Sequence, residues 1–123
     1  MAEELKFTKE LKEAWLTALK SGEYTQGSGA LLLETQEGKC HCCLGVLAEI
    51  HPNLAIGKRV DIDETFGTYY NTVICNGEEE ESYEPFRKLI GHVMSDLADQ
   101  NDANSDGKYT SVIPMIEELP TVD

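Results

Sequence analysis

Residues 8–21 have the apolar spacing of an amphipathic helix. Apolar side chains recur at i, i+3, i+4, i+7 and i+8, which places them on one helical face. These side chains are Leu11, Ala14, Trp15, Ala18 and Leu19. Thr8 suits the N-cap position, and Gly22 suits the position that follows the C-cap. The pattern predicts a helix over 8–21 with Trp15 anchored in the core.

A second apolar stripe with helical spacing occupies residues 85–99. Its members are Phe86, Leu89, Ile90, Val93, Met94 and Leu97. Pro85 suits the first turn of this helix, because the N–H that proline lacks has no intrahelical partner there. Pro114 has the same position in a last, shorter helix. The sequence therefore predicts one helix over 85–99 and another over 110–119.

The other apolar runs favour β-strands. Residues 30–35 form a short apolar run, residues 36–39 form a turn, and a second short strand follows near Cys40. Residues 58–63 alternate apolar and polar side chains, and residues 69–75 are rich in β-formers. We expect the last two runs to pair as a hairpin.

Residues 39–50, KCHCCLGVLAEI, contain three of the four cysteines. The stretch begins polar and becomes apolar, which predicts a change from strand to helix at Cys42 or Cys43. The helix must end near Pro52. Gly45 costs roughly 1 kcal/mol relative to Ala inside a helix, so we expect another backbone to pack closely against it.

These elements predict an α+β fold in which a small antiparallel sheet packs against three to four helices. The chain has 123 residues, of which 41% are hydrophobic, so residues 1–123 should form a single domain whose folding needs no metal. No apolar run approaches the ~20 residues of a membrane span, and the charged N-terminal segment lacks a signal-peptide pattern. We expect a cytoplasmic protein with reduced cysteines and no cofactor.

The charge balance is strongly acidic, with 23 Asp and Glu, 10 Lys and Arg, and a net charge of −13. It disfavours direct contact with nucleic acid and favours a partner protein with a basic surface. The run at 78–81 follows Asn76-Gly77, a turn signal, and predicts a solvated loop. The predicted partner-binding residues are Glu78, Glu79, Glu80, Glu81, Glu84, Asp61, Asp63 and Glu64.

The cysteine cluster gives an alternative, a small-ligand or metal-binding site that is possibly enzymatic. Structural zinc sites pair their ligands as C-x2–4-C twice, whereas this C-x-C-C segment has no second pair. We expect Cys43 to be buried and inert. A thiolate at the helix N-terminus with His41 as base stays open, but no catalytic residue is assigned. The alternative pocket consists of Tyr24, Gln26, Cys40, His41, Cys42 and Cys43.

Asp102, Asn104 and Asp106, followed by Gly107, match the first half of a calcium-binding loop. The twelfth position of that loop is Ile113, where a bidentate glutamate is expected. The segment is therefore a weak calcium candidate. The other interpretation is a turn between helices in which Asn and Asp cap exposed backbone groups.

Motifs in the first 50 and the last 25 residues together resemble those of a known family. Residues 15–27 read W-x3-L-x-SG-x-Y-x-QG, and residues 42–47 read CCLGVL. The dipeptide Asn-Asp at 101–102 precedes Y-x2-V-x3-IE at 109–117. The pattern resembles small, mostly uncharacterised proteins encoded by tailed bacteriophages. This chain departs from it at Ile113, where that family has a small Ala.

The resemblance implies a phage origin and action inside a bacterial cell, and it supplies no catalytic residues. Relatives centre on adjacent cysteines and a shorter Asn-Asp turn, which weakens the metal and calcium interpretations. The leading hypothesis is a non-enzymatic accessory protein that binds and inhibits a host or defence protein with its acidic surface. The alternative is the small-ligand or metal-binding domain centred on residues 40–43.

Overall fold

The computed structural model describes residues 6–27, 30–65, 67–80, 83–103 and 108–121. Over these ranges the fold is α+β, with five helices and two small antiparallel sheets. The elements are α1 (Lys9–Lys20), β1 (Leu32–Thr35), β2 (Gly38–His41), α2 (Cys43–Ile50), β3 (Leu54–Ile56), β4 (Val60–Asp63), β5 (Gly67–Tyr70), β6 (Val73–Cys75), β7 (Glu78–Glu80), α3 (Glu84–Ile90), α4 (Val93–Ala103) and α5 (Ile113–Glu117). The predicted fold class is confirmed, with one more sheet than expected.

The first helix begins and ends as its sequence predicts. The Thr8 side chain caps α1 by accepting a hydrogen bond of 3.1 Å from the backbone N–H of Leu11. Gly22, just beyond the helix, has φ +81°, a conformation that glycine adopts without strain. Trp15 is fully buried, and its Nε1–H donates to the carbonyl oxygen of Cys43 at 2.9 Å. Trp15 thus ties α1 to the start of α2.

The central helix α2 follows the predicted strand-to-helix change. Cys42 is its N-cap, and the Cys42 thiol accepts the backbone N–H of Gly45 at 3.3 Å. Residues 43–48 are all buried, so α2 is covered on every side. A Cβ added to Gly45 would lie 2.0 Å from the carbonyl oxygen of Leu31. The expected close backbone approach at Gly45 is confirmed.

The four-stranded sheet has the order β2-β1-β5-β4, and every neighbouring pair is antiparallel. The predicted hairpin of 58–63 with 69–75 is confirmed only for its first half, since β4 pairs with β5 alone. At Asn71 and Thr72 the chain leaves this sheet, and Val73 begins β6 in the other sheet. The single run predicted at 69–75 is therefore two strands. The sequence did not reveal the break, because both halves have similar β-forming composition.

The three-stranded sheet has the order β3-β6-β7 and contains the acidic run. Glu78–Glu80 form β7 against β6, so the predicted loop is a strand, although Glu78 and Glu79 are exposed to solvent as predicted. Glu81 lies outside the described residues. Asn76 and Gly77 have φ of 51° and 88°, the geometry of a two-residue hairpin turn. That turn places the acids in register with β6, and backbone pairing does not depend on side-chain charge. Strand β3 was not predicted.

The helix predicted over 85–99 is two helices, α3 and α4, so that prediction is wrong at its centre. Gly91 ends α3 with φ +72°, and its N–H donates to the carbonyl oxygen of Arg87 at 2.7 Å. The apolar stripe continues across the break, since Leu89 and Leu97 are both buried. Residues 110–119 contain α5, with Pro114 in its first turn as predicted.

Candidate binding surface

The hairpin of β4 and β5, called the outer hairpin below, lies outside the hydrophobic core. The core includes buried side chains from α1, α2, α3, α4, α5 and β6. No described residue between 57 and 72 belongs to it or packs against it from the rim. This half of the four-stranded sheet is therefore held by strand pairing to β1 and not by packing on the helices.

The outer hairpin presents apolar and acidic side chains on opposite faces. Side chains alternate along a strand, so Val60 and Ile62 share one face of β4 and Asp61 and Asp63 share the other. Val60 is 41% exposed and Ile62 is 73% exposed. They are the large apolar side chains that the described part of the chain leaves most open to solvent. The outer hairpin therefore offers an exposed apolar face and, on its other side, an acidic face.

More carboxylates lie near the tip of the outer hairpin. An open depression of about 780 Å³ lies between the β1–β2 turn and the β4–β5 turn, and its lining includes Glu34, Glu37 and Glu64. The Tyr70 hydroxyl donates a hydrogen bond to Glu34, and this hydrogen bond raises the pKa of Tyr70. Lys39 Nζ lies 4.0 Å from a carboxylate oxygen of Glu34. With three glutamates in its lining and one lysine nearby, the depression is predominantly acidic.

Glu79 has a different role from the one its sequence predicts. Its Oε2 accepts the backbone N–H groups of Lys58 at 2.8 Å and Arg59 at 2.9 Å, and the Thr72 hydroxyl at 2.6 Å. These bonds, with that from Thr72 the strongest influence, lower the pKa of Glu79. A Cβ on Gly57 would lie 1.8 Å from the Thr72 hydroxyl, so only glycine leaves room for this contact. Glu79 thus fixes the segment that leads into β4.

The remaining predicted acids do not form one uniform patch. Glu84 pairs with Arg87 one turn later on α3, which lowers the pKa of Glu84. Glu78 is exposed on β7. Asp63 Oδ1 accepts the N–H of Thr65 at 2.8 Å and shapes the β4–β5 turn. Glu79 is exposed to solvent as predicted, but its carboxylate contacts other parts of the chain, which the prediction did not include.

The six residues of the alternative pocket do come together, but largely inside the fold. The rings of Tyr24 and His41 meet edge to face with centroids 5.1 Å apart. Gln26 is buried and bridges to His41 in β2, while Cys40 is half-buried. Gln26 Oε1 accepts the backbone N–H of Tyr109 at 2.9 Å. Both ends of the Gln26 amide therefore bind other parts of the chain.

Asn101, for which the residue pattern predicts no role, is the centre of this buried cluster. Its Oδ1 accepts Nε2–H of Gln26 at 3.0 Å and the backbone N–H of Cys43 at 3.2 Å. Its Nδ2–H donates to the carbonyl oxygen of Gly27 at 2.7 Å. We call Gln26, Asn101 and their partners the buried amide network. The sequence signal for Asn101 was its spacing. It lies four residues after Leu97, so a helix places its uncharged amide on the same buried side of α4.

The two adjacent thiols are buried beside this network. Burial raises the pKa of the Cys42 thiol to about 11 and that of Cys43 well above its usual value. Burial also lowers the pKa of His41, whose Nε2 lies 3.4 Å from Glu49 Oε2. The predicted burial of Cys43 is confirmed. Protonated thiols are poor nucleophiles, so the geometry does not favour catalysis at this position.

The described ranges contain no cluster of three or more histidine, cysteine or acidic side chains able to hold a metal ion. Asp102 is exposed in α4, whereas Asn104 and Asp106 lie outside the described residues, so the predicted calcium loop stays a prediction. No helix in the described part of the chain is long and apolar enough to cross a membrane.

A protein-family profile described as a domain of unknown function, DUF8296, matches residues 7–87. This match runs from the residue before the α1 cap to α3, and it includes α2, both sheets and the outer hairpin. No curated protein matches the chain, and no solved structure matches it. Because the profile covers well over half of the sequence, the chain belongs to the DUF8296 family.

Proposed function

We propose that this protein is a bacteriophage accessory protein that binds a host or defence protein with a basic surface and inhibits it, without catalysing a reaction. It would act in the bacterial cytoplasm. The resemblance of residues 15–27 and 42–47 to phage proteins supports the origin. The net charge of −13 supports the basic partner.

The observation that carries the proposal is the exposure of the outer hairpin. Val60 and Ile62 stay open to solvent on a strand that contributes nothing to the core. Burying such side chains against a partner is favourable by about 25 cal/mol per Å² of apolar surface. Asp61 and Asp63 on the other face of β4, and Glu64 in the β4–β5 turn, give the same hairpin negative charge, which favours a partner of opposite charge. Of the acidic residues predicted to bind a partner, the proposal therefore keeps the three that lie in the outer hairpin.

The charged groups should act mainly on the rate of association. An exposed ion pair contributes about 0.2–1 kcal/mol to binding, and salt screens it. Three such pairs together are worth on the order of 1–2 kcal/mol, or roughly ten-fold in affinity. Most of the affinity must then come from the apolar face formed by Val60 and Ile62.

The test begins with capture of a partner from a lysate of the bacterial host, followed by binding measurements over a salt series. The triple variant Asp61→Asn, Asp63→Asn, Glu64→Gln should bind roughly ten-fold more weakly, with less salt dependence. Asn at 63 keeps the oxygen that shapes the turn. Glu79 is left unchanged, because its carboxylate holds the segment before β4.

A matched control removes the same three charges elsewhere. Glu13, Glu23 and Glu118 are exposed, and replacing each with Gln changes the net charge equally. The control should bind nearly as well as the natural sequence. If both triple variants lost affinity equally, only the total charge would matter, and the outer hairpin would not be the binding surface.

A further inference from the structure

The outer hairpin ends the four-stranded sheet with an open strand edge. Among the described residues β4 pairs only with β5. The opposite edge is partly covered, because the backbone at Thr25 and Gly27 bonds to both sides of His41 in β2. An edge strand presents a row of backbone N–H and C=O groups that can pair with another chain. The β4 edge is thus the one that can accept a further strand.

We propose that β4 is a docking edge that takes an extended segment of the partner protein as a fifth strand of this sheet, one in which basic and apolar side chains alternate. This inference rests on the proposed function and specifies how the outer hairpin binds. Backbone hydrogen bonds would supply affinity, and the alternating side chains would supply specificity.

The alternation follows from the two faces of β4. A paired strand places its own side chains alternately beside those of its neighbour. Apolar side chains of the partner would cover Val60 and Ile62, which removes 41% and 73% exposed surfaces from water. Lys or Arg side chains at the intervening positions would lie beside Asp61 and Asp63 on the other face. Opposite charges across a strand pair stabilise it.

The start of β4 is fixed before any partner arrives. Glu79 holds the backbone N–H groups of Lys58 and Arg59, two hydrogen bonds that orient the chain immediately before Val60. A second open depression, of about 480 Å³, lies at the end of the hairpin away from its turn and is lined by Arg59, Val60, Asp61, Asn71 and Thr72. An incoming segment therefore meets a strand whose start is already in place. Such preorganisation lowers the entropy lost on binding.

A second copy of this chain is the less favourable occupant. Antiparallel pairing of β4 with itself would bring Asp61 and Asp63 beside the same carboxylates of the copy. Like charges opposite each other destabilise a strand pair. The two molecules would also each carry a net charge of −13. Charge complementarity therefore selects a basic segment.

The probe is a short acetylated peptide of alternating Lys and Val, with fluorescence anisotropy as the binding measurement. One control has the same composition with Lys and Val in separate blocks, and a second carries N-methyl groups on alternate backbone nitrogens along one edge. A third is N-methylated along the other edge. We expect the unmodified peptide to bind at least about ten-fold more tightly than the block peptide and than one of the methylated peptides. The amides of β4 should exchange with solvent more slowly in its presence.

Several results would overturn the inference. Equal binding of all four peptides would mean that charge attraction alone holds them, while the proposed function would survive. No binding of the alternating peptide, or protection of β4 that appears with rising protein concentration and no peptide, would also overturn it. In the last case the occupant is a second copy. If instead the peptide adds as a strand but the captured host protein ignores the charge variants of the outer hairpin, the proposed function fails and the docking edge stands.

Discussion

The buried amide network and the outer hairpin use polar residues in opposite ways. In the network, both ends of the Gln26 and Asn101 amides bond to other parts of the chain. In the outer hairpin, Asp61 and Ile62 are both exposed on the same short strand. The first region satisfies its polar groups internally and excludes water, whereas the second leaves apolar and charged groups to solvent. This difference indicates a stabilising role for the network, and it is the reason for proposing that the hairpin binds a partner.

The resemblance to phage proteins falls mainly on the first region. Trp15, Gln26, Cys43 and Asn101 all lie within its motifs, and all four are buried and joined by hydrogen bonds. Tyr109 adds a further bond, from its hydroxyl to the carbonyl oxygen of His41 at 2.7 Å. Folding therefore accounts for these four motif residues. Four changes test the contrast.

Asn101→Ala should have the largest effect on stability. It leaves the Cys43 N–H and the Gly27 carbonyl without their side-chain partner, and the Gln26 Nε2–H keeps only the backbone oxygen of residue 101, at 3.5 Å. Each unpaired buried group costs about 1–3 kcal/mol, so the free energy of unfolding should fall by roughly 3 kcal/mol or more. Urea denaturation measures it. Asp99→Ala, at an exposed position of the same helix, is the control and should stay within about 0.5 kcal/mol. A loss below about 1 kcal/mol for Asn101→Ala would contradict the network's role.

Gly45→Ala should also destabilise the protein, although alanine is the better helix former. The added methyl group would lie 2.0 Å from the carbonyl oxygen of Leu31, so backbone must move. Overpacking of this kind costs about 1–3 kcal/mol. The control is Thr17→Ala on the exposed side of α1, where alanine should stabilise by a few tenths of a kcal/mol. Thermal unfolding of both variants measures these effects. A higher melting temperature for Gly45→Ala than for the natural sequence would contradict the clash.

Stability should fall as pH rises above 9. The Cys42 thiol has a pKa of about 11 when folded, against 9.0 for an ordinary thiol. Between these pH values the unfolded chain has lost the thiol proton that the folded chain keeps. The free energy of unfolding therefore falls by about 1.4 kcal/mol per pH unit. Cys42→Ser retains a capping side chain that does not titrate there. Its denaturation midpoints should depend less steeply on pH over this window. An identical slope for both proteins would show that Cys42 does not titrate on unfolding.

Valine-to-threonine changes at one buried and one exposed strand position contrast the two regions directly, and the exposed position should give the smallest effect on stability. Val73→Thr puts a hydroxyl into the core and should cost about 1–3 kcal/mol. Val60→Thr, on the half-exposed face of β4, should change stability by less than about 0.5 kcal/mol. Binding of the captured partner should weaken for Val60→Thr. Equal destabilisation by the two variants would show that the outer hairpin is part of the core.

Local patterns predicted the elements whose signals lie within a few residues. Thr8 and Gly22 bound α1 because capping uses side chains within a single turn. The change to helix at Cys42 and the close approach at Gly45 were likewise readable. The break at Gly91 was missed because the apolar stripe continues across it. The apolar side chains of α3 and α4 pack into the same core. Periodicity alone does not distinguish one helix from two in line.

What the sequence by itself determined is the α+β class, α1, the strand-to-helix change into α2 and the acidic charge. Only the tertiary structure decided which sheet each strand enters, that the Glu79 carboxylate holds the start of β4, and that Asn101 joins Gln26 across 75 positions of the chain. The physical reason is range. Helix caps and turns depend on neighbours in sequence, whereas sheet membership and the pairing of buried polar groups depend on segments that meet only when the chain has folded.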